Sequence, residues 1–310
     1  MKNILAFLIA TACLSVFTVS ARAAEGGYSN YIPGTYGDFA MALAPSETWT
    51  LRNDVYFYDA DTTRSVRSGA IEVGTDLQFL MNFTTLVVKP DIELLGAQYA
   101  LGAFLPLMLN LDLDASLSIG DRVVNASDST AGLGDIVLIP LLLYWNKGNI
   151  HTNFGLSVVT PTGDYDTKNL INNGLNYWSF DTNFALTYLN QETGRDFSFN
   201  LGYLYNTENQ DTDYQTGQEL HLDVVLNQFL SETFAVGIQG FFLKQITGDS
   251  GSGALLGDFK AEAAGIGPAI LWTTKIGKQD VSFIAKWLHD FHAENRLEGD
   301  SIFITFALDW

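Results

Sequence analysis

The chain has 310 residues, with 16 Lys and Arg against 35 Asp and Glu, for a formal charge of −19. Nucleic acid and anionic membrane surfaces are poor partners for such a chain. Cys13 is its only cysteine, which excludes an internal disulfide and a multi-cysteine metal site.

Met1 to Ala23 reads as a secretory leader. Lys2 supplies the positive start, Ile4 to Val19 the apolar run, and Ala21-Arg22-Ala23 a cleavage site before Ala24. A lipoprotein reading of Ala10-Thr11-Ala12-Cys13 lacks the usual Leu three residues before the Cys and would halve the apolar run. Loss of Lys2 and Arg22 with the leader takes the charge from −19 to −21 and leaves no thiol. No later stretch approaches ~18 uninterrupted apolar residues, so no spanning helix is expected. Yet 47% of the chain is hydrophobic and 13% aromatic. Apolar content without spanning helices leaves a β-rich soluble protein or a transmembrane barrel.

Glu25 to Glu47 is rich in Gly, Tyr and Pro and shows no period. It is expected on the periplasmic side or in the barrel mouth. From Thr48 a two-residue alternation begins. Trp49, Leu51, Val55 and Phe57 oppose Thr50, Arg52, Asp54 and Tyr56, and Ile71, Val73, Leu77 and Phe79 oppose Glu72, Gly74, Asp76 and Gln78. The clearest run is Leu107 to Ile119, where Leu107, Leu109, Leu111, Leu113, Leu117 and Ile119 stand against Asn110, Asp112, Asp114, Ser116 and Ser118. Met81 to Pro106 supplies either two more strands, for fourteen in all, or a long periplasmic excursion, for twelve.

Further runs follow at 134–145, 149–160, 178–190, 196–206, 218–229, 233–246, 259–273, 279–290 and 300–310. Their connectors alternate. Those at 146–148, 191–195, 230–232 and 274–278 are short, whereas 120–133, 161–177, 207–217, 247–258 and 291–299 are long. Short turns on one side and long loops on the other describe an outer-membrane barrel with both ends of the strand array in the periplasm. Pro140 and Pro268 fall inside strands, where a bulge or local break is expected. The last strand carries Ile302, Ile304, Phe306, Leu308 and Trp310 on one face. That row, above all Phe306, Leu308 and Trp310, resembles the signal read by the barrel-assembly machinery.

Several segments together resemble the outer-membrane family of the MetA-pathway of phenol degradation. They are Pro161-Thr162-Gly163-Asp164-Tyr165, Asn176 to Asp181, Gly202-Tyr203 with Asn206, and Glu208-Asn209 with Thr212-Asp213-Tyr214 and Gly217. His221, Asp223, Thr247 to Gly251, Arg296 and Glu298-Gly299-Asp300 complete the set. The resemblance implies a transporter-like barrel linked to aromatic compounds, distantly similar to porins for hydrophobic compounds.

Candidate lumen residues are the polar rows opposite the apolar ones: Glu72, Asp76, Asp112, Asp114, His151, Glu219, His221 and Asp223, with Gln78 and Asn153 beside them. They are either simple lining of a water-filled interior or carboxylates that favour cations and neutral solutes. His221 with Asp223, and His289 with His292, offer two ligands each, short of a metal site. No Ser/His spacing singles out a nucleophile, so no catalytic residue is assigned. Thr247 to Gly253 lacks the Lys-Ser/Thr and the helix of a phosphate loop. Asp211, Asp213, Asp249, Glu298 and Asp300 read as a solvated acidic rim, or as oxygen ligands for Ca²⁺ or Mg²⁺ shared with lipopolysaccharide. Trp49, Tyr144, Trp145, Trp178, Tyr188, Tyr205, Trp272, Trp287 and Trp310 suit interfacial girdles.

The reading is therefore all-β: an antiparallel transmembrane β-barrel of twelve to fourteen strands in the outer membrane, with outer-membrane lipid and lipopolysaccharide around it. It needs no cofactor. Its expected work is passive uptake of small hydrophobic or aromatic compounds. The alternatives are a closed structural or surface-interaction barrel and a soluble periplasmic ligand-binding barrel.

Overall fold

The computed structural model describes residues 29–66, 71–119, 122–254, 260–277 and 279–310; the leader at 1–23 lies outside them. The elements are β1 (Trp49–Val66), β2 (Ile71–Val88), β3 (Glu93–Leu94), β4 (Ala97–Ile119), β5 (Arg122–Leu133), β6 (Val137–Lys147) and β7 (Ile150–Val159). They continue with β8 (Ser179–Asn190), β9 (Arg195–Asn206), β10 (Glu219–Phe229), β11 (Phe234–Gln245), β12 (Glu262–Ile276), β13 (Gln279–Glu294) and β14 (Glu298–Asp309). All pairings are antiparallel, and β1 on β14 closes the ring. β3 is a two-residue ribbon on β4, and β5 and β6 follow one another along one edge of β4. The ring thus has twelve strands.

Twelve is reached by neither route expected for Met81 to Pro106. β2 and β4 are long, at 18 and 23 residues, and the chain turns between them at 89–96. The segment 120–133, expected as a loop, is mostly strand β5, paired with β4 from Leu107↔Leu133 to Ile119↔Arg122. A hairpin that rises past the lipid loses no hydrogen bonding, so the apolar band does not set where its strands end. Pro140 sits at a register shift on both flanks of β6. At Pro268 the strand runs on in unchanged register, and only the ladder to β13 lapses over Gly267 and Pro268.

The outer face carries the apolar rows. Leu201, Leu226, Ile238, Ile270 and Ile304 are each about half exposed, as lipid-facing side chains must be. Exposed Trp49 and Trp310 stack at 6.4 Å on the short-turn side, beside Trp272 and Phe283 at 5.4 Å. Tyr144 departs from the girdle expectation: it is buried, facing inward. Pro140 is the reason, because the shift there reverses which residues of β6 face the lumen. One polar cluster, Asn53, Asn82 and Thr84, interrupts the outer band. Its two amides exchange hydrogen bonds at 3.0 Å, and all four amide N–H groups are used. Self-satisfaction of this kind is what hydrocarbon demands.

Candidate functional site: the divided lumen

The inner wall has two chemically distinct halves. On β8 to β11 the inward rows are polar, with Asp181, Asn183, Thr187, Asp196, Ser198, Asn200, Glu219, His221, Asp223, Asn227 and Gln239 all buried. On β1, β2 and β4 they are aromatic and aliphatic: Tyr56, Tyr58, Leu77, Phe79, Met81, Phe83, Phe104 and Met108.

Residues 29–47 form no strand and run through the lumen against the polar half. Tyr31 Oη donates to Asp223 at 2.8 Å and Tyr36 Oη to Asp181 at 2.7 Å. The backbone N–H groups of Ala40 and Ala42 donate to Asp196 and Thr187, and Asn30 bonds Ser179. The tight turn at Gly34 (φ 82°) presents two carbonyls, of Gly34 and Gly37, to Lys286 Nζ at 2.5 and 2.7 Å. Lys286 also lies over the Phe303 ring at 4.2 Å. Arg52 is neutralised by Asp38 of the segment and Asp54 of its own strand. Burial and the neighbouring carboxylates push both tyrosine hydroxyls well above their usual range. They stay protonated and donate to the carboxylates, while Tyr31 Oη accepts from the Gly34 N–H and Tyr36 Oη from the Asn183 amide.

His221 lies in the middle of this contact. Its ring is stacked on Tyr31 at 4.0 Å and on Tyr36 at 5.4 Å, and its Nε2 meets Asp181 at 3.0 Å. Gly202 makes this possible, since any side chain there would occupy the imidazole's place. Glu219, His221 and Asp223 therefore point inward and are buried, and His221 and Asp223 hold the N-terminal segment instead of lining open water. His151 shares the inward parity of Asn153 near the short-turn end and bonds Asn146 at 2.7 Å.

Three further lumen candidates, Asp76, Asp112 and Asp114, are corrected by the structure. Asp76 and Gln78 are exposed on the outer face of β2, while Leu77 and Phe79 point in. Asp112 and Asp114 stand opposite Gln78 and Asp76 on the same outer face, and Asn110 bonds Asp112. The cause on β4 is a bulge opposite Leu80 and Met81, which leaves Leu109 without a partner. Below it Leu107 and Leu109 face out; above it Leu111 and Leu113 face in. The unbroken leucine alternation conceals that reversal. Glu72 stands in register with Ser65 and Ser118, and its side chain is outside the described residues.

The loop 161–177 folds inward over the aromatic half. Among the described residues β5 pairs only with β4, and this loop fills the wall between β5 and β8. Ile171 packs with Ala60, Leu77, Leu111, Leu113 and Leu297. The Asp135 carboxylate, between β5 and β6, accepts N–H bonds from Thr162, Gly163 and Leu175 at 3.0, 2.8 and 2.7 Å. Asp128 accepts from Leu170 and Ile171. Asp249 is likewise consumed, by Tyr214, Gly217 and Gln245. Among the described residues no group of three His, Asp or Glu side chains has the geometry for a metal ion.

Among the described residues two cavities lie within the lumen. An upper one of about 100 Å³ lies between Tyr56, Tyr58, Phe79, Met81 and Phe104 under the loop 161–177. A lower one of about 420 Å³ reaches Arg52, Tyr144 and Asn153. Asn30, Tyr31, Ile32, Phe104, Val137 and Val159 line both, so the N-terminal segment forms the partition between them.

Residues 56–306 match the family of the MetA-pathway of phenol degradation. The chain belongs to that family. No curated protein matches it significantly. Among solved structures it is similar to the COG4313 outer membrane channel from Pseudomonas putida F1. That likeness has a TM-score of 0.68 and 15% identity, over 90% of this chain and 99% of that one. It is more remotely similar to OccK10 (OpdN) of Pseudomonas aeruginosa, with TM-score 0.33 and 10% identity over 84% and 98% of the chains. A BenF-like porin from Pseudomonas fluorescens Pf-5 gives TM-score 0.32 and 10% identity over 84% and 98%. The first likeness establishes the fold, that of an outer-membrane β-barrel.

The Phe306, Leu308 and Trp310 row lies on the seam. Trp310 exchanges backbone hydrogen bonds with Trp49, Leu308 pairs with Leu51, and Phe306 packs edge-on against Phe283 at 5.5 Å. Tyr31, Tyr36, Asp135, Asp181 and Lys286 were not singled out from sequence. Lys286 and Asp181 are charges on the inward parity of their strands, a signal that was available. Nothing local marks Asp135.

Proposed function

We propose that this outer-membrane channel passes small hydrophobic or aromatic compounds passively into the periplasm, after export and removal of the leader. The observation that carries the reading is the upper cavity, whose walls include five aromatic rings and the thioethers of Met81 and Met108 in a barrel otherwise dense in carboxylates. Apolar walls of this kind favour flat uncharged groups, because they offer dispersion contact and few hydrogen bonds to replace those of water. The two cavities share lining residues of the N-terminal segment, so passage from one to the other requires displacing Asn30, Tyr31 and Ile32. Assembly through the Phe306, Leu308 and Trp310 row, and contact of the outer face with lipopolysaccharide, belong to the same reading.

The test is solute entry into proteoliposomes. Small aromatic alcohols should enter faster than sugars of similar mass. A barrel that admits neither over lipid alone is the closed, structural alternative, which the packing of Ile171 and Leu297 across the mouth favours.

A further inference from the structure

The upper cavity has two charged residues on its lining, Asp135 and Arg296. Their situations differ. The Asp135 oxygens take three backbone N–H groups from the loop 161–177 and are turned to that task. Arg296 follows Asn295, whose positive φ of 53° turns the β13–β14 connection inward. Its guanidinium is half-buried and makes no hydrogen bond or ion pair among the described residues. The carboxylates that feel its field, Asp290 and Glu219, lie off the cavity lining, although Asp290 Oδ1 and both Glu219 oxygens have no hydrogen-bond partner among the described residues. The other Asp290 oxygen accepts from Tyr58 and from the Gly299 N–H. Two other inward cations among the described residues, Arg52 and Lys286, are both occupied.

We propose that Arg296 makes the upper cavity a binding site for an aromatic ring bearing a carboxylate. This rests on the proposed conduction of aromatic compounds and names the class of solute that the cavity selects. A guanidinium presents a planar fork of N–H donors that matches both oxygens of a carboxylate. Tyr56 and Phe79, edge to face at 5.7 Å, supply the ring contact below it. The cavity volume, about 100 Å³, is below the ~150 Å³ of an apolar cavity that accepts benzene, so a single ring is the most it admits and the lining side chains must give way to receive it. The charge of the whole chain opposes an anion at long range, but that field is screened within about 8 Å at physiological salt. The guanidinium acts at contact.

The experiment compares benzoate with benzyl alcohol at pH 7, one ionised and one neutral on the same ring. Binding to the detergent-solubilised barrel is read by fluorescence quenching, and entry by proteoliposome flux. Wild-type protein should prefer benzoate, R296Q should lower the benzoate-to-alcohol binding ratio by about tenfold or more, and R296K should fall between. Heat modifiability on gels reports whether each variant has folded. A wild-type ratio near one overturns the assignment without any variant, as does an unchanged ratio in folded R296Q. Flux of both solutes with an unchanged ratio leaves the channel standing without this site. Binding that follows Arg296 with no flux at all leaves the site standing without the channel.

Discussion

Removing the carboxylate of Asp135 should release the loop 161–177, and the size of the effect can be worked out. Asp135→Ala deletes three hydrogen bonds from backbone N–H groups to a charged acceptor. Such bonds contribute roughly 1.5–3 kcal/mol each, and buried N–H groups left without a partner add to the loss. Non-additivity and water entry reduce the sum, so a net loosening of about 3 kcal/mol is a conservative figure. At 1.4 kcal/mol per tenfold, the undocked population rises by about a hundredfold. Lys168 is exposed at the tip of this loop and gives the assay. Trypsin needs several residues in extended form around the cleaved bond, and Asp128 and Asp135 tie down both flanks of Lys168. While loop opening stays fast relative to cleavage, the rate at Lys168 follows the undocked population. Asp135→Ala in a heat-modifiable, folded barrel should therefore be cut after Lys168 about a hundred times faster than wild type. A change of less than threefold would refute the view that this carboxylate latches the loop.

Three further outcomes follow from the divided lumen. Tyr31→Phe with Tyr36→Phe removes both phenol-to-carboxylate bonds of the N-terminal segment, and single-channel recordings should show more frequent or larger openings; identical traces would mean that the segment does not limit conduction. Because the folded state raises the pKa of both hydroxyls above the ordinary 10.0, the contribution of these two tyrosines to the seating of the segment should be intact below about pH 10 and be lost progressively above it. A titration at 295 nm checks this: Tyr31→Phe with Tyr36→Phe should remove two tyrosines from the group that ionises later than the exposed ones. Asp76→Asn, Asp112→Asn and Asp114→Asn together should leave the reversal potential in a salt gradient where it was, since these groups are outside the barrel, whereas Asp181→Asn should shift it.

Much of this protein is legible in its sequence because a barrel strand obeys a period of two and the membrane imposes one sign on it. The alternation of short and long connectors, the closing aromatic strand and the inward parity of Glu219, His221 and Asp223 all follow from that period. The reading failed where its premise did. Above the lipid both faces of a hairpin meet protein or water, so Leu77 and Leu111 turn inward beneath Ile171 while Asp76 and Asp112 turn out. One unpaired leucine in β4 reverses the parity without altering the pattern of letters.

Chain pattern alone thus determined the class of fold, its closure and its orientation, since these depend on neighbours one or two residues away and on the solvent outside. Tertiary structure decided what fills the lumen. The contacts of Tyr31 with Asp223, Tyr36 with Asp181, and Asp135 with the loop 161–177 join segments 27 to 192 residues apart. No local period encodes such meetings; they exist only once the wall has closed and left a polar half to be covered.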